Sequence, residues 1–96
     1  MMIEFHPAAL SELIDSAGYY DRKLPGLGTD FLNELHGLLT QLSENPAMGA
    51  VVEAPFRQVV LGRFPFSVIY RPKGSMLRIV AVAHQHRGPG YWRGRD

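Results

Sequence analysis

The run FRQVVLGRFPFSVIYRPKGSMLRIVAVAH, residues 56–84, repeats its apolar positions at every second residue and is interrupted only at Gly62-Arg63 and at Pro72-Lys73-Gly74-Ser75. A period of two belongs to strands, whose successive side chains point to opposite faces. Three strands are therefore expected, Phe56 to Leu61, Phe64 to Arg71 and Met76 to His84, and the short turns between them favour an antiparallel meander. On the middle strand Phe66, Val68 and Tyr70 share one face, whereas Ser67, Ile69 and Arg71 share the other. Val80-Ala81-Val82-Ala83 is apolar on both faces, the pattern of a central strand covered by helices on one side and partly shielded on the other.

Upstream of this run the period lengthens to that of a helix. Phe31, Leu32, Leu35, Leu38, Leu39 and Leu42 form a broad apolar stripe, which Asn45-Pro46 stops and which Gly28 or Thr29 is placed to cap. Before it, Leu24-Pro25-Gly26-Leu27-Gly28 supplies turn geometry. An earlier helix is expected from Pro7, a residue tolerated in a first helical turn, to about Arg22. Its spacing turns Leu10, Leu13, Ile14 and Ala17 inward with Tyr20 on or beside the stripe, and leaves Glu12, Asp15 and Ser16 outside. Ile3 and Phe5, flanking Glu4, predict a short first strand. The expectation is an α+β fold of order β-α-α-β-β-β, a helical hairpin on a mostly antiparallel sheet, in one domain spanning residues 1–96.

Composition agrees with one domain: 96 residues, 46% hydrophobic and 20% charged, suit a single two-layer core. The chain has no cysteine, which excludes disulfides, thiolate metal sites and a cysteine nucleophile. With no apolar run near the roughly 20 residues that span a bilayer, and no basic segment leading an apolar one at the N-terminus, the sequence reads as soluble, cytoplasmic and without a signal peptide. The net charge of +1 hides a division: residues 1–56 carry −6 and residues 57–96 carry +7. Either the second half forms a basic face for an acidic protein, nucleic acid or phosphate, or the halves neutralise one another across the fold. Arg57, Arg63, Arg71 and Arg78, on or around the meander, are the candidate binding cations.

AVAHQHRGPGYW, residues 81–92, crowds polar chemistry beyond the end of the last strand. Acid–base chemistry at a phosphate ester needs a proton acceptor, a proton donor and a cation on the phosphate. His84, Arg87 and Tyr91, with His86 beside them, are residues of those types, so the first three are the candidate catalytic set. The alternative is structural: His84 bonds at a strand end, and Tyr91 and Trp92 cover the open edge of the core. Trp92 is also a candidate contact for a partner. His84 and His86 lack a third ligand at metal spacing and there is no HExxH pattern, so neither metal nor other cofactor is expected. His36 lies alone on the second helix and reads as a surface or packing residue.

The order of elements, the Pro25-Gly26-Leu27-Gly28 connection, Asn45-Pro46, FPFSVIY at Phe64 to Tyr70 and AVAHQHRGPGYW at Ala81 to Trp92 together resemble the RelE/ParE toxin superfamily, also called plasmid stabilisation proteins, over nearly the whole chain. The resemblance implies the toxin of a type II toxin–antitoxin module, bound and inhibited by a small antitoxin in a hetero-oligomer. RelE-like members cleave messenger RNA on the ribosome, and ParE-like members inhibit DNA gyrase. The nuclease pattern favours lysines where this chain has Gln58 and Val60, and an arginine where it has Ser67, whereas Tyr91 and Arg87 match its C-terminal groups. The resemblance thus favours a ParE-like inhibitor. A RelE-like endoribonuclease, the one reading under which His84, Arg87 and Tyr91 would be catalytic and cleave RNA through its 2′-hydroxyl, and a non-toxic module that only binds an antitoxin are the alternatives.

Overall fold

In the computed structural model, which describes residues 1–96, the chain passes through β1 (Met2–Phe5), α1 (Pro7–Lys23), α2 (Leu27–Glu44), β2 (Ala50–Glu53), β3 (Phe56–Val60), β4 (Phe66–Lys73) and β5 (Met76–His84). The strands form one sheet in the order β1-β5-β4-β3-β2, antiparallel throughout except that β1 lies parallel to β5. The expected α+β architecture is present with one addition, the strand β2. Its four residues are all exposed, so they bury no face and carry no alternation from which a strand could be read.

The α1 stripe differs from the expected one. Leu10 and Ile14 are 44% and 58% exposed, whereas Ala9 is fully buried and Leu13, Ala17 and Tyr20 pack beside it. The template that selected Leu10 and Ile14 weights large side chains. Instead the helix turns its small Ala9 and Ala17 inward, which lets its axis approach the sheet. The start of α2 also lies earlier than Gly28 or Thr29: Gly26, at φ 92°, takes the N-cap position in the left-handed region open to glycine. Asp21 of α1 then accepts the Gly28 amide at 2.8 Å, tying the two helices at their joint. In α2 the fully turned-in residues are Phe31, Leu35, Leu39 and Leu42, and Leu32 is at the exposed margin.

The sheet has two apolar faces. Phe66, Val68 and Tyr70 of β4 and Leu77, Ile79 and Val82 of β5 join the helices in the larger core. Ile69, Val80, Ala81 and Ala83 form a second cluster under Trp92. A register shift makes this possible: Ile69 pairs with Ala81 and Tyr70 with Ile79, so Val80 is an inserted residue and both Val80 and Ala81 serve the second face. Between β4 and β5 the connection is Gly74-Ser75, with Gly74 at φ 62°, as a two-residue hairpin turn requires. Tyr70, completely buried, donates its hydroxyl to the Pro46 carbonyl at 2.7 Å and accepts the Gly49 amide at 2.9 Å, fixing the loop that leads into β2.

Candidate functional site

β1 pairs with β5 only as far as Ile79, which leaves the edge of β5 beyond that point without a strand partner. α1 passes there, and its Glu12 side chain takes the place of the missing ladder. One carboxylate oxygen accepts the Val82 amide at 3.0 Å and lies 3.0 Å from Arg95 Nη1; the other accepts the Tyr91 hydroxyl at 2.9 Å. Glu12 was expected to point outward, but a backbone donor on a half-buried strand edge requires an acceptor, and this carboxylate provides it. Periodicity could not show this, because the partners are 70 and 79 residues away in the chain.

Residues 85–96 return across the outer face of the sheet. Trp92, 6% exposed, covers the second cluster and packs on Phe56 with ring centroids 4.9 Å apart. Tyr91 is held between two guanidinium groups, Arg87 at 3.8 Å and Arg95 at 4.9 Å from its ring centroid. Burial, and then the hydrogen bond and charge of Glu12, push the Tyr91 phenol up to about 12, against the opposing pull of Arg95 and Arg87. Tyr91 is therefore a neutral donor at physiological pH, and its proton is directed at Glu12.

His84, Arg87 and Tyr91, the expected catalytic set, do come together around one open cleft of about 300 Å³. His84 stacks on His86 at 5.0 Å and meets the edge of Phe66 at 5.1 Å, and its Nδ1 accepts the His86 amide at 3.1 Å. Gln58 and Ser67 form the opposite wall, where Gln58 Nε2 donates to Ser67 Oγ at 3.3 Å. Val60 pairs with Ser67 on the neighbouring strand. The cleft thus contains one cation, Arg87, which lies over a tyrosine ring.

Arg57, Arg63, Arg71 and Arg78 do not converge on one patch. Arg57 donates to the carbonyls of Gly49 at 2.7 Å and Ala47 at 3.2 Å, beside β2. Arg63 lies 3.8 Å from Asp30 of α2, at the far end of the helical hairpin. Arg71 pairs with Asp96 at 2.8 Å, and Arg78 pairs with Glu4 and reaches the Asp96 carbonyl. Four of the five ion pairs, Glu4–Arg78, Glu12–Arg95, Asp30–Arg63 and Glu53–Arg93, join an acid from the negative half to a base from the positive half. Much of the charge division is consequently met inside the fold.

Two further openings flank this region. A groove of about 440 Å³ between α2 and β3 is lined by Leu38, Met48, Val59, Val60 and Leu61 among others, and one of about 560 Å³ lies between Tyr19 and Tyr20 of α1 and Phe66. No helix is long and apolar enough to cross a membrane.

Comparison with known proteins places these features in context. The family model for the ParE toxin of type II toxin–antitoxin systems, parDE, matches residues 3–89. Among solved structures, a chain of the chromosomal ParDE toxin–antitoxin system from P. aeruginosa shares the fold with a TM-score of 0.75 and 23% identity, over 88% of this chain and 95% of that one. No curated protein matches the sequence.

Proposed function

The chain belongs to the ParE toxin family of type II toxin–antitoxin systems, and from that premise we propose that it arrests growth by binding a macromolecular target, DNA gyrase, and is neutralised by direct binding of a cognate antitoxin. The observation that carries this reading against a nuclease is the wall of the cleft. Stabilising a phosphate in a transition state calls for preorganised cations, each worth several kcal/mol in a dry site. Here Gln58 and Ser67 bond to one another instead, and Arg87 rests on Tyr91, whose own proton goes to Glu12.

Neutralisation has a surface suited to it. Val60 and Met48, 51% and 40% exposed, line the groove between α2 and β3, Val51 is 56% exposed on β2, and β2 offers a strand edge with no neighbour. An amphipathic antitoxin segment would cover such positions.

In a supercoiling assay the purified protein inhibits gyrase, and equimolar antitoxin restores activity; unimpaired supercoiling at large molar excess would remove gyrase as the target. The proximity of His84, Arg87 and Tyr91 supports one rival, ribosome-dependent cleavage of messenger RNA. That rival requires cleavage in codon register in translated messages, abolished by Tyr91→Phe or His84→Ala. Normal growth on induction without antitoxin would instead leave a non-toxic antitoxin-binding module.

A further inference from the structure

We propose that residues 85–96 form a strap that opens as a unit while the two-layer body stays folded, and that the Glu12 carboxylate is the catch that holds it shut. The strap differs in kind from the elements beneath it. Its main-chain to main-chain bonds to the rest of the fold end with Gln85 N–H to the Pro65 carbonyl at 2.8 Å and Arg87 N–H to the His84 carbonyl at 2.9 Å; beyond these, the backbone bonds from Arg93 and Arg95 go to Gly90 and Trp92, within the segment itself. No ladder joins it to the sheet. Side chains hold it instead, through Trp92 on the second cluster and through the pairs Arg93–Glu53, Arg71–Asp96 and Arg95–Glu12.

These ties are unequal. In Arg93–Glu53 and Arg71–Asp96 at least one side chain is about half exposed, at 63% and 47% for the first and 23% and 47% for the second. Exposed pairs of this sort contribute little and weaken in salt. Arg95 and Glu12 are only 19% and 16% exposed. The same carboxylate receives Tyr91, and Arg95 Nη1 also donates to the Val80 carbonyl at 3.1 Å, the carbonyl of the inserted residue. Removing the charge of Glu12 therefore loosens the strap at two points, Tyr91 at its middle and Arg95 near its end, while leaving every ladder bond of the sheet in place. A segment with few backbone ties and one shared anchor is the kind that opens below the global unfolding free energy. Opening exposes Trp92 and the Val80–Ala81 face.

The Val82 amide reports the catch, since its acceptor is Glu12. In native-state hydrogen exchange with the full chain, Val82 exchanges through a lower-energy opening than the ladder amides between β3 and β4. Glu12→Gln speeds Val82 exchange and tryptic cleavage after Arg87 and Arg93 by about tenfold or more, and leaves the ladder amides within about twofold. In the unmodified protein, raising NaCl from about 0.1 to about 1 M changes cleavage after Arg93 by no more than about twofold, because the half-exposed pairs contribute little and the largely buried Glu12 pair is only weakly screened. The proposal is overturned if Val82 and the ladder amides share one opening free energy, shift together in Glu12→Gln, or if salt alone speeds cleavage after Arg93 as much as Glu12→Gln does. None of these readouts depends on gyrase or antitoxin, so the strap and the toxin reading fail separately.

Discussion

The two faces of the sheet are closed by different physics. On the helix side Phe31 meets Tyr20, Phe64 and Phe66 with ring centroids 5.1–5.5 Å apart, inside a core contributed by two helices and four strands. On the other side four small or medium residues lie beneath one tryptophan, and a carboxylate from the far layer reaches around the sheet edge to secure the cover. Burial on the first face is shared among many residues whose backbone is hydrogen-bonded in place. On the second it depends on a few side chains with alternatives in water. The same bulge at Val80 that gives the outer face its apolar area also leaves the carbonyl that Arg95 satisfies.

The comparison predicts unequal penalties for removing an aromatic from each side. Phe31→Ala leaves a cavity among rigid neighbours and costs about 3–5 kcal/mol, enough to lower the melting temperature by roughly 15 °C or more. Trp92→Ala removes a larger side chain but costs about 2 kcal/mol, because the strap relaxes or detaches and leaves the body folded. Urea denaturation of both variants measures the difference. Equal losses would mean that the strap belongs to the global folding unit and that the two faces are not distinct.

Tyr70 sharpens the comparison from within the helix-side core. Its hydroxyl is the one polar group there that both donates and accepts, to Pro46 and from Gly49. Tyr70→Phe keeps the ring and strands a buried amide and a carbonyl, costing about 1–3 kcal/mol. Faster exchange of the Gly49 amide, with β4 and β5 unchanged, would localise the damage to the loop before β2; an unchanged Gly49 amide would mean that water replaces the hydroxyl.

The sequence made legible whatever repeats. β3, β4 and β5 follow a period of two and α2 follows its leucines, so these elements and both apolar faces were readable from residues 31–84. β2 was not, because Ala50 to Glu53 bury nothing. The rotation of α1 was missed because Ala9 carries little weight in a hydrophobic pattern despite being fully buried. His84, Arg87 and Tyr91 could be grouped because they are neighbours in sequence. The direction of the Tyr91 proton could not, since its acceptor, Glu12, occupies the first helix. The charge division was visible as two sums, but which acid meets which base depends on a topology that places β1 beside β5 and α1 against the edge of β5 beyond it.

Tyr91 gives the smallest and most specific effect, because its titration differs between the folded and unfolded chain. Folded, the phenol is pushed up to about 12; unfolded, it has the ordinary value near 10. The folded protein keeps a proton that the unfolded chain releases, so this group's contribution is complete below about pH 10 and is lost as pH rises through the interval to about 12. Tyr91→Phe removes both the hydrogen bond to Glu12 and this titration. The melting temperature of the unmodified protein should therefore exceed that of Tyr91→Phe by a few degrees at pH 8, from a charge-assisted bond of about 1.5 kcal/mol or less, and the gap should narrow as pH passes 10. A gap that stays constant to pH 11 would show that the phenol is not held by Glu12 in solution, and the strap would lose one of the two groups through which Glu12 holds it.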